Sequence, residues 1–206
     1  QKTRWATYIN QAIYNVWHPS LASWGGRSAP WSGWSIDNPG NNYYYSFLEA
    51  TMYWALASRD STLLSFVRNE KLTPLVNYFA QIPGGGSLEG TGYGVAHMRM
   101  FQLYQVWKDS TSEDLANVSS HLTDSIRYWV HATTPNRAYY APVGDLARSS
   151  FPDIFDYHRR LVLEARRLSG STAAQDLASW WHKHISVPQM SRRIDGQWDL
   201  LPAGSN

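Results

Sequence analysis

Three short stretches of the chain hold residues that could do chemistry together. The first, Asp37-Asn38-Pro39-Gly40-Asn41-Asn42-Tyr43-Tyr44-Tyr45, leads into a helical pattern. Asn amides and the open N–H groups of a helix start can hold a carboxylate or an enolate-like oxygen, and one Asn can equally serve as the cap. The second, Pro83 to Gly94, has Gly at six of twelve positions and carries Glu89 and Tyr93, with His97 one helical turn later. No Gly-Lys-Ser/Thr follows and no βαβ unit opens there, so it is not a phosphate loop. The third, Ala138 to Arg148, holds Tyr139, Tyr140, Asp145 and Arg148, with Arg137 just before it. A tyrosine ionises near pH 10, so a Tyr base needs cationic neighbours, and Arg99, Arg137 and Arg148 are the candidates. Paired carboxylates such as Glu89 with Asp145 or Asp153 would instead suit glycoside hydrolysis.

Composition points toward the same class of ligand. The 206 residues include 11 Trp, 13 Tyr and 6 Phe, and 14 Arg against 4 Lys. Rings stack on sugar faces and guanidinium forks pair with carboxylate or sulfate, which suits a groove for an acidic glycan. The absence of Cys removes disulfides, thiolate metal sites and thiol nucleophiles. A formal charge of +2 with no basic stripe gives no footprint for nucleic acid, and no apolar run is long enough to span a membrane. His182 and His184 are two apart on one helix and point to different faces, so no metal is expected, nor any cofactor. Asn117-Val118-Ser119 matches a glycosylation sequon by pattern only, in the middle of an expected helix. The chain opens on Gln1 and is read as a processed mature chain or a fragment, periplasmic or secreted.

Helical periodicity positions these stretches. Helices are expected over Thr3 to Trp17, Asn42 to Arg59, Thr62 to Gln81 with an interruption near Thr73-Pro74, Val95 to Lys108, Glu113 to His131 with Ser112 as N-cap, Asp153 to Leu168, and Thr172 to Ile185. On the second helix Tyr43, Phe47, Ala50, Trp54 and Ala57 form the expected buried stripe; on the fourth, Ala96, Met100, Leu103 and Trp107 do, turning His97, Phe101 and Tyr104 to another face. The loop from Pro19 to Asn41, with Trp24, Trp31 and Trp34, is longer than idle loops are, and a second long loop runs from Thr133 to Pro152. The tail from Pro188 is polar and irregular. Short links at one end of the hairpins and long loops at the other predict an all-α fold. We read it as one domain over residues 1–206, an incomplete α/α toroid whose loop face binds ligand.

With the motifs in place, a resemblance enters. Asn41-Asn42-Tyr43-Tyr44-Tyr45 before an Ala/Trp-rich helix resembles the Asn-Asn-His motif of alginate lyases and heparinase II/III-like polysaccharide lyases. Gly86-Ser87-Leu88-Glu89-Gly90-Thr91-Gly92-Tyr93-Gly94 is similar to the Gly-x-x-x-Glu-Gly-x-x-Tyr stretch of the heparinase II/III-like group, and Tyr140 to Asp145 resembles a downstream loop of the same toroids. The resemblance spans roughly Trp31 to Arg148 and implies β-elimination at a uronic acid of an acidic polysaccharide. It implies Asn42 as the carboxylate neutraliser, Tyr93 as acid/base, and Glu89 as a residue orienting the site or touching sugar hydroxyls. It also implies β-sheet domains beyond this stretch. The family His is Tyr43 here, which leaves Tyr43 itself, His97 or a His elsewhere as base, or a groove that binds without catalysis. Trp31, Trp34, Asn41, Arg99, Arg137, Tyr140, Asp145 and Arg148 complete the expected substrate contacts.

Overall fold

The computed structural model describes residues 1–144 and 153–185. Asp145, Arg148 and the tail from Pro188 lie outside the described residues. Among the described residues the fold is all-α apart from one two-stranded hairpin and two isolated bridges, and the chain divides into two compact units, Gln1–Leu75 and Val76–Asn206. No helix among the described residues is long and apolar enough to cross a membrane.

In the first unit, α1 (Lys2–Trp17) stops at His18, next to Pro19, whose missing N–H cannot extend it. Asn41 caps α2 (Asn42–Ser58) by accepting the Tyr43 N–H at 3.0 Å, and Arg59 closes it in the left-handed region. The stripe that packs is not the expected one. Tyr44, Tyr45, Leu48, Thr51, Met52 and Ala55 are buried, while Tyr43, Ala50 and Ala57 are exposed, a face turned by about one residue. Backbone acceptors for two phenols explain the rotation: Tyr44 donates to the Lys71 carbonyl at 2.7 Å and Tyr45 to the Pro39 carbonyl at 2.6 Å.

Asp60 caps α3 (Ser61–Phe66) through the Leu63 N–H, and the backbone then widens into π-helical turns over Val67–Leu72 before α4 (Thr73–Ala80). The interruption expected at Thr73-Pro74 is therefore a π stretch just before the proline, a widened turn that accommodates its missing donor. Lys71 is turned inward by these turns. Its ammonium reaches Asp37 at 2.7 Å and the Ile36 carbonyl at 3.3 Å, and lies 4.1 Å above the Trp17 ring.

The Pro19 to Asn41 segment is tied down rather than structureless. A hairpin of β1 (Ser23–Trp24) and β2 (Arg27–Ser28) is held at Ser23 by two hydrogen bonds with the Asn15 amide, at 2.8 and 3.0 Å.

The second unit is built around α5 (Val95–Thr111), which packs on α7 (Asp156–Leu168); α7 also meets α6 (His121–His131) and α8 (Thr172–His184). His97, Phe101 and Tyr104 are as buried as Ala96, Met100, Leu103 and Trp107, so the buried side of α5 is wider than expected and only the stripe of Val95, Arg99, Gln102 and Val106 stays partly covered. Ser112 does not start the next helix. It ends α5 in the left-handed region, and the following residues form a loop in which Asp114 accepts the Ala116 and Asn117 N–H groups. Asn117 thus lies in a loop, its amide nitrogen on the Leu168 carbonyl at 2.9 Å. Ser171 caps α8 and closes the α7–α8 hairpin as the turn Ser169-Gly170-Ser171 predicts.

Candidate functional site

At the start of α2, Asn41 is committed to capping, so its expected role as a substrate contact gives way to a structural one. Asn42 is half-buried in the first helical turn and Tyr43 is 56% exposed beside it. Burial, and then the Asp37 carboxylate, push the Tyr44 phenol far above its ordinary value, which leaves it a donor only. Trp31 does not offer its ring to a ligand. Its indole N–H donates to the Asn15 carbonyl at 2.8 Å and its ring packs edge-on against Phe47. Trp34 is 63% exposed, in keeping with a surface contact.

In the second unit the Gly-rich stretch is pinned just before Tyr93. Thr91 donates its hydroxyl to the Ala141 carbonyl at 2.9 Å and its N–H to the Val143 carbonyl at 2.8 Å; Tyr157 donates to the Gly92 carbonyl at 3.1 Å. Tyr93, the last residue of a short 3-10 turn, is thereby held half-buried two residues before α5 begins. Glu89 is half-buried too, and its carboxylate, after burial, raises the ionisation of Tyr78. Arg99 is half-buried on α5.

Two of these glycines are required by close approach. A side chain at Gly94 would meet the His158 ring at 2.7 Å and Trp129 at 2.9 Å. One at Gly85 would come within 2.1 Å of the α6 backbone at Asp124 and Ser125. Gly85→Ala should destabilise the second unit by about 3 kcal/mol or more, combining overpacking with a positive φ. Gly84→Ala, at φ 74° but in open space, should cost only about 1 kcal/mol. Urea unfolding of both variants checks this, and equal losses would refute the clash.

Behind the pinned stretch lies a buried imidazole cluster that sequence reasoning missed, except for His97. His97 is 0% exposed, accepts the Trp129 indole N–H at 3.0 Å through Nδ1, and points Nε2 into the protein with no hydrogen bond of normal geometry among the described residues. Desolvation, then neighbouring His121, hold it well below the usual imidazole range, against a weaker pull from the Gly86 carbonyl. His121 contacts that same carbonyl at 3.3 Å. His158 accepts the Phe155 N–H through Nδ1 and meets the Thr91 carbonyl through Nε2, and burial pushes it down to about 3. An enclosed His97 cannot reach a sugar, so its expected role as base is withdrawn.

Tyr140 is corrected in the same way. It is 1% exposed, stands between Trp129 and His158, and its hydroxyl has no partner among the described residues. Burial, then Tyr157 and Tyr128, raise its ionisation well above the ordinary value. A phenol so placed fills the core and touches no substrate. Its neighbour Tyr139 is 39% exposed.

Arg137, by contrast, is exposed. Its N–H closes the Thr134-Pro135-Asn136-Arg137 turn on the Thr134 carbonyl at 2.7 Å, with φ at 60°. For a residue with a Cβ that left-handed geometry costs about 1 kcal/mol. His182 is engaged by Arg159 at 3.0 Å. Among the described residues no group of three or more His, Asp or Glu is arranged to hold a metal ion.

The structure thus groups Glu89 and Tyr93 on one pinned stretch, and Asn42 and Tyr43 on one helix start in the other unit. Comparison with known proteins finds no matching family model, no matching curated protein and no matching solved structure.

Proposed function

We propose that this chain is the helical part of a polysaccharide lyase, a portion of an α/α toroid, that cleaves a uronic-acid-containing glycan by β-elimination in the periplasm or outside the cell. The observation that carries this reading is Tyr93, a half-buried tyrosine whose two preceding residues are fixed by hydrogen bonds, just ahead of α5. A tyrosine merely filling space needs no such fixing, whereas an acid/base group must be held in place.

In this reading a donor beside Tyr93 lowers the cost of charge that develops on the uronate carboxylate when the α-proton leaves, and Arg99 on α5 is that donor within the second unit. With His97 enclosed, the base is Tyr93 in its phenolate form. Tyr93 Oη takes the proton from the carbon bearing the carboxylate, and the freed electron pair forms the ring double bond. The bond from the adjacent carbon to the glycosidic oxygen breaks, and that oxygen receives the proton back from Tyr93. Glu89 orients the sugar. β-Sheet domains of the same protein complete the groove.

Incubation with alginate, heparin, hyaluronan and pectin tests the reading. At least one polyuronide should yield products absorbing in the ultraviolet band of an unsaturated uronide. New reducing ends without that absorbance would make the protein a hydrolase and overturn the lyase assignment.

A further inference from the structure

A groove of about 570 Å³ opens on the second unit where the end of α6 meets α8, lined by His131, Thr134, Arg137, Leu177, Trp180 and Trp181. Its volume is in the range of sites for small molecules and short oligomers. Nothing in its lining is acidic among the described residues.

Two of its residues are placed against the ordinary demands of folding. Trp180 leaves an indole 48% exposed on a helix that buries its neighbour Trp181. His184, one turn on, stacks on Trp180 at 5.1 Å and 27° and accordingly steadies the ring. Arg137 occupies the left-handed position of its turn, where glycine would fit without strain, and its guanidinium pairs with no carboxylate among the described residues. A local rule broken without any gain in folding marks a position kept for another purpose.

The turn holding Arg137 is itself well fixed. Thr134 donates its N–H to the Tyr139 carbonyl at 2.7 Å, and the Trp181 indole donates to Thr133 at 2.7 Å, which ties the turn to α8. A flat apolar ring and a cationic fork on one rigid wall call for a ligand with a ring face and an anionic substituent.

We infer that this groove is an accessory binding site for an acidic saccharide, with a sugar face on Trp180 and its carboxylate or sulfate paired by Arg137. The inference rests on the lyase reading only in choosing a uronate as the anion. An acidic peptide satisfies the guanidinium but brings no ring to the indole, which is why a saccharide is favoured.

The test uses the full chain carrying Tyr93→Phe, so that no substrate is turned over, with calorimetric titration of tetragalacturonate, a neutral tetrasaccharide, hexaglutamate and inorganic sulfate. Tetragalacturonate should bind at least about 10-fold more tightly than the neutral sugar, the difference expected of one charge-assisted fork. Trp180→Ala and Arg137→Gly should each weaken it about 10-fold or more. Arg137→Gly should do so while its urea midpoint stays level or rises, because glycine suits the turn, and this separates lost binding from lost folding. Unchanged affinity in Arg137→Gly would overturn the proposal. So would hexaglutamate or sulfate binding as tightly as the uronate with no dependence on Trp180. Binding in the absence of any elimination by the wild-type chain would sink the lyase reading and leave the groove standing; elimination without this binding would do the reverse.

Discussion

Replacing Tyr93 with Phe should lower kcat for elimination by about 10² to 10⁴-fold, the usual loss on removing a positioned acid/base group. The change removes one oxygen and keeps the ring. The backbone hydrogen bonds at Thr91 and Gly92 that set the position of residue 93 do not involve its side chain, so the phenyl group should sit where the phenol did. KM should therefore move little, and the circular dichroism and urea midpoint should match the wild type. Tyr43→Phe is the informative partner. Tyr43 is 56% exposed and stands where the resembled family has its His, so a large loss there with Tyr93→Phe still active would transfer the chemistry to α2. Initial rates by ultraviolet absorbance on the best polyuronide decide between them. A Tyr93→Phe enzyme with more than half of wild-type kcat would end the assignment.

The second large effect is acid sensitivity of the Val76–Asn206 unit. His158 is 0% exposed and held neutral, its ionisation pushed down to about 3 against about 6.5 in an unfolded chain. An imidazole with a lowered folded value contributes full stability above the unfolded value, and that stability is lost as pH falls toward the folded one. For His158 alone the loss between pH 6.5 and about pH 3 approaches 4–5 kcal/mol. His97 and His121 shift in the same direction and steepen the fall. The first unit contains no buried histidine, so it should be spared this transition. Urea titrations at pH 7.5, 6, 5 and 4.5 should show stability dropping by more than about 2 kcal/mol across the series. Trp129, whose indole donates to His97, lies within the unit that unfolds. His158→Gln should start less stable and lose stability less steeply. A wild-type midpoint unchanged from pH 7.5 to 4.5 would contradict the buried neutral cluster.

Much of the helical framework was legible because local chemistry marks it. Pro19 ended α1, Asn41 capped α2, and Ser169-Gly170-Ser171 turned the last hairpin. Burial was less legible, because the face a helix hides depends on partners distant in sequence. Tyr44 and Tyr45 displaced Tyr43 from the α2 core only because the Lys71 and Pro39 carbonyls were there to receive their hydroxyls. Polar His97 and Gln105 masked how wide the buried side of α5 is. Ser112 reads equally well as a cap for the next helix, and only its left-handed backbone shows that it ends the previous one. Of the candidate site, Tyr93 and Glu89 were singled out from their motif, while the groove at Trp180 gave no spacing signal. It is assembled from a turn and a helix more than forty residues apart in the chain, Arg137 and Trp180.

The π-helical turns of Val67–Leu72 carry a consequence for how the chain tolerates changes in length. A widened turn of this kind is what an α-helix becomes when it takes in one extra residue without re-registering its flanks. Removing a single residue there should narrow these turns to α-helical ones, leaving Pro74 to kink the helix between Ser61 and Ala80. What such a chain would give up is the inward turn of Lys71, and with it the clasp on Asp37 and Ile36 that holds the aromatic loop of the first unit closed.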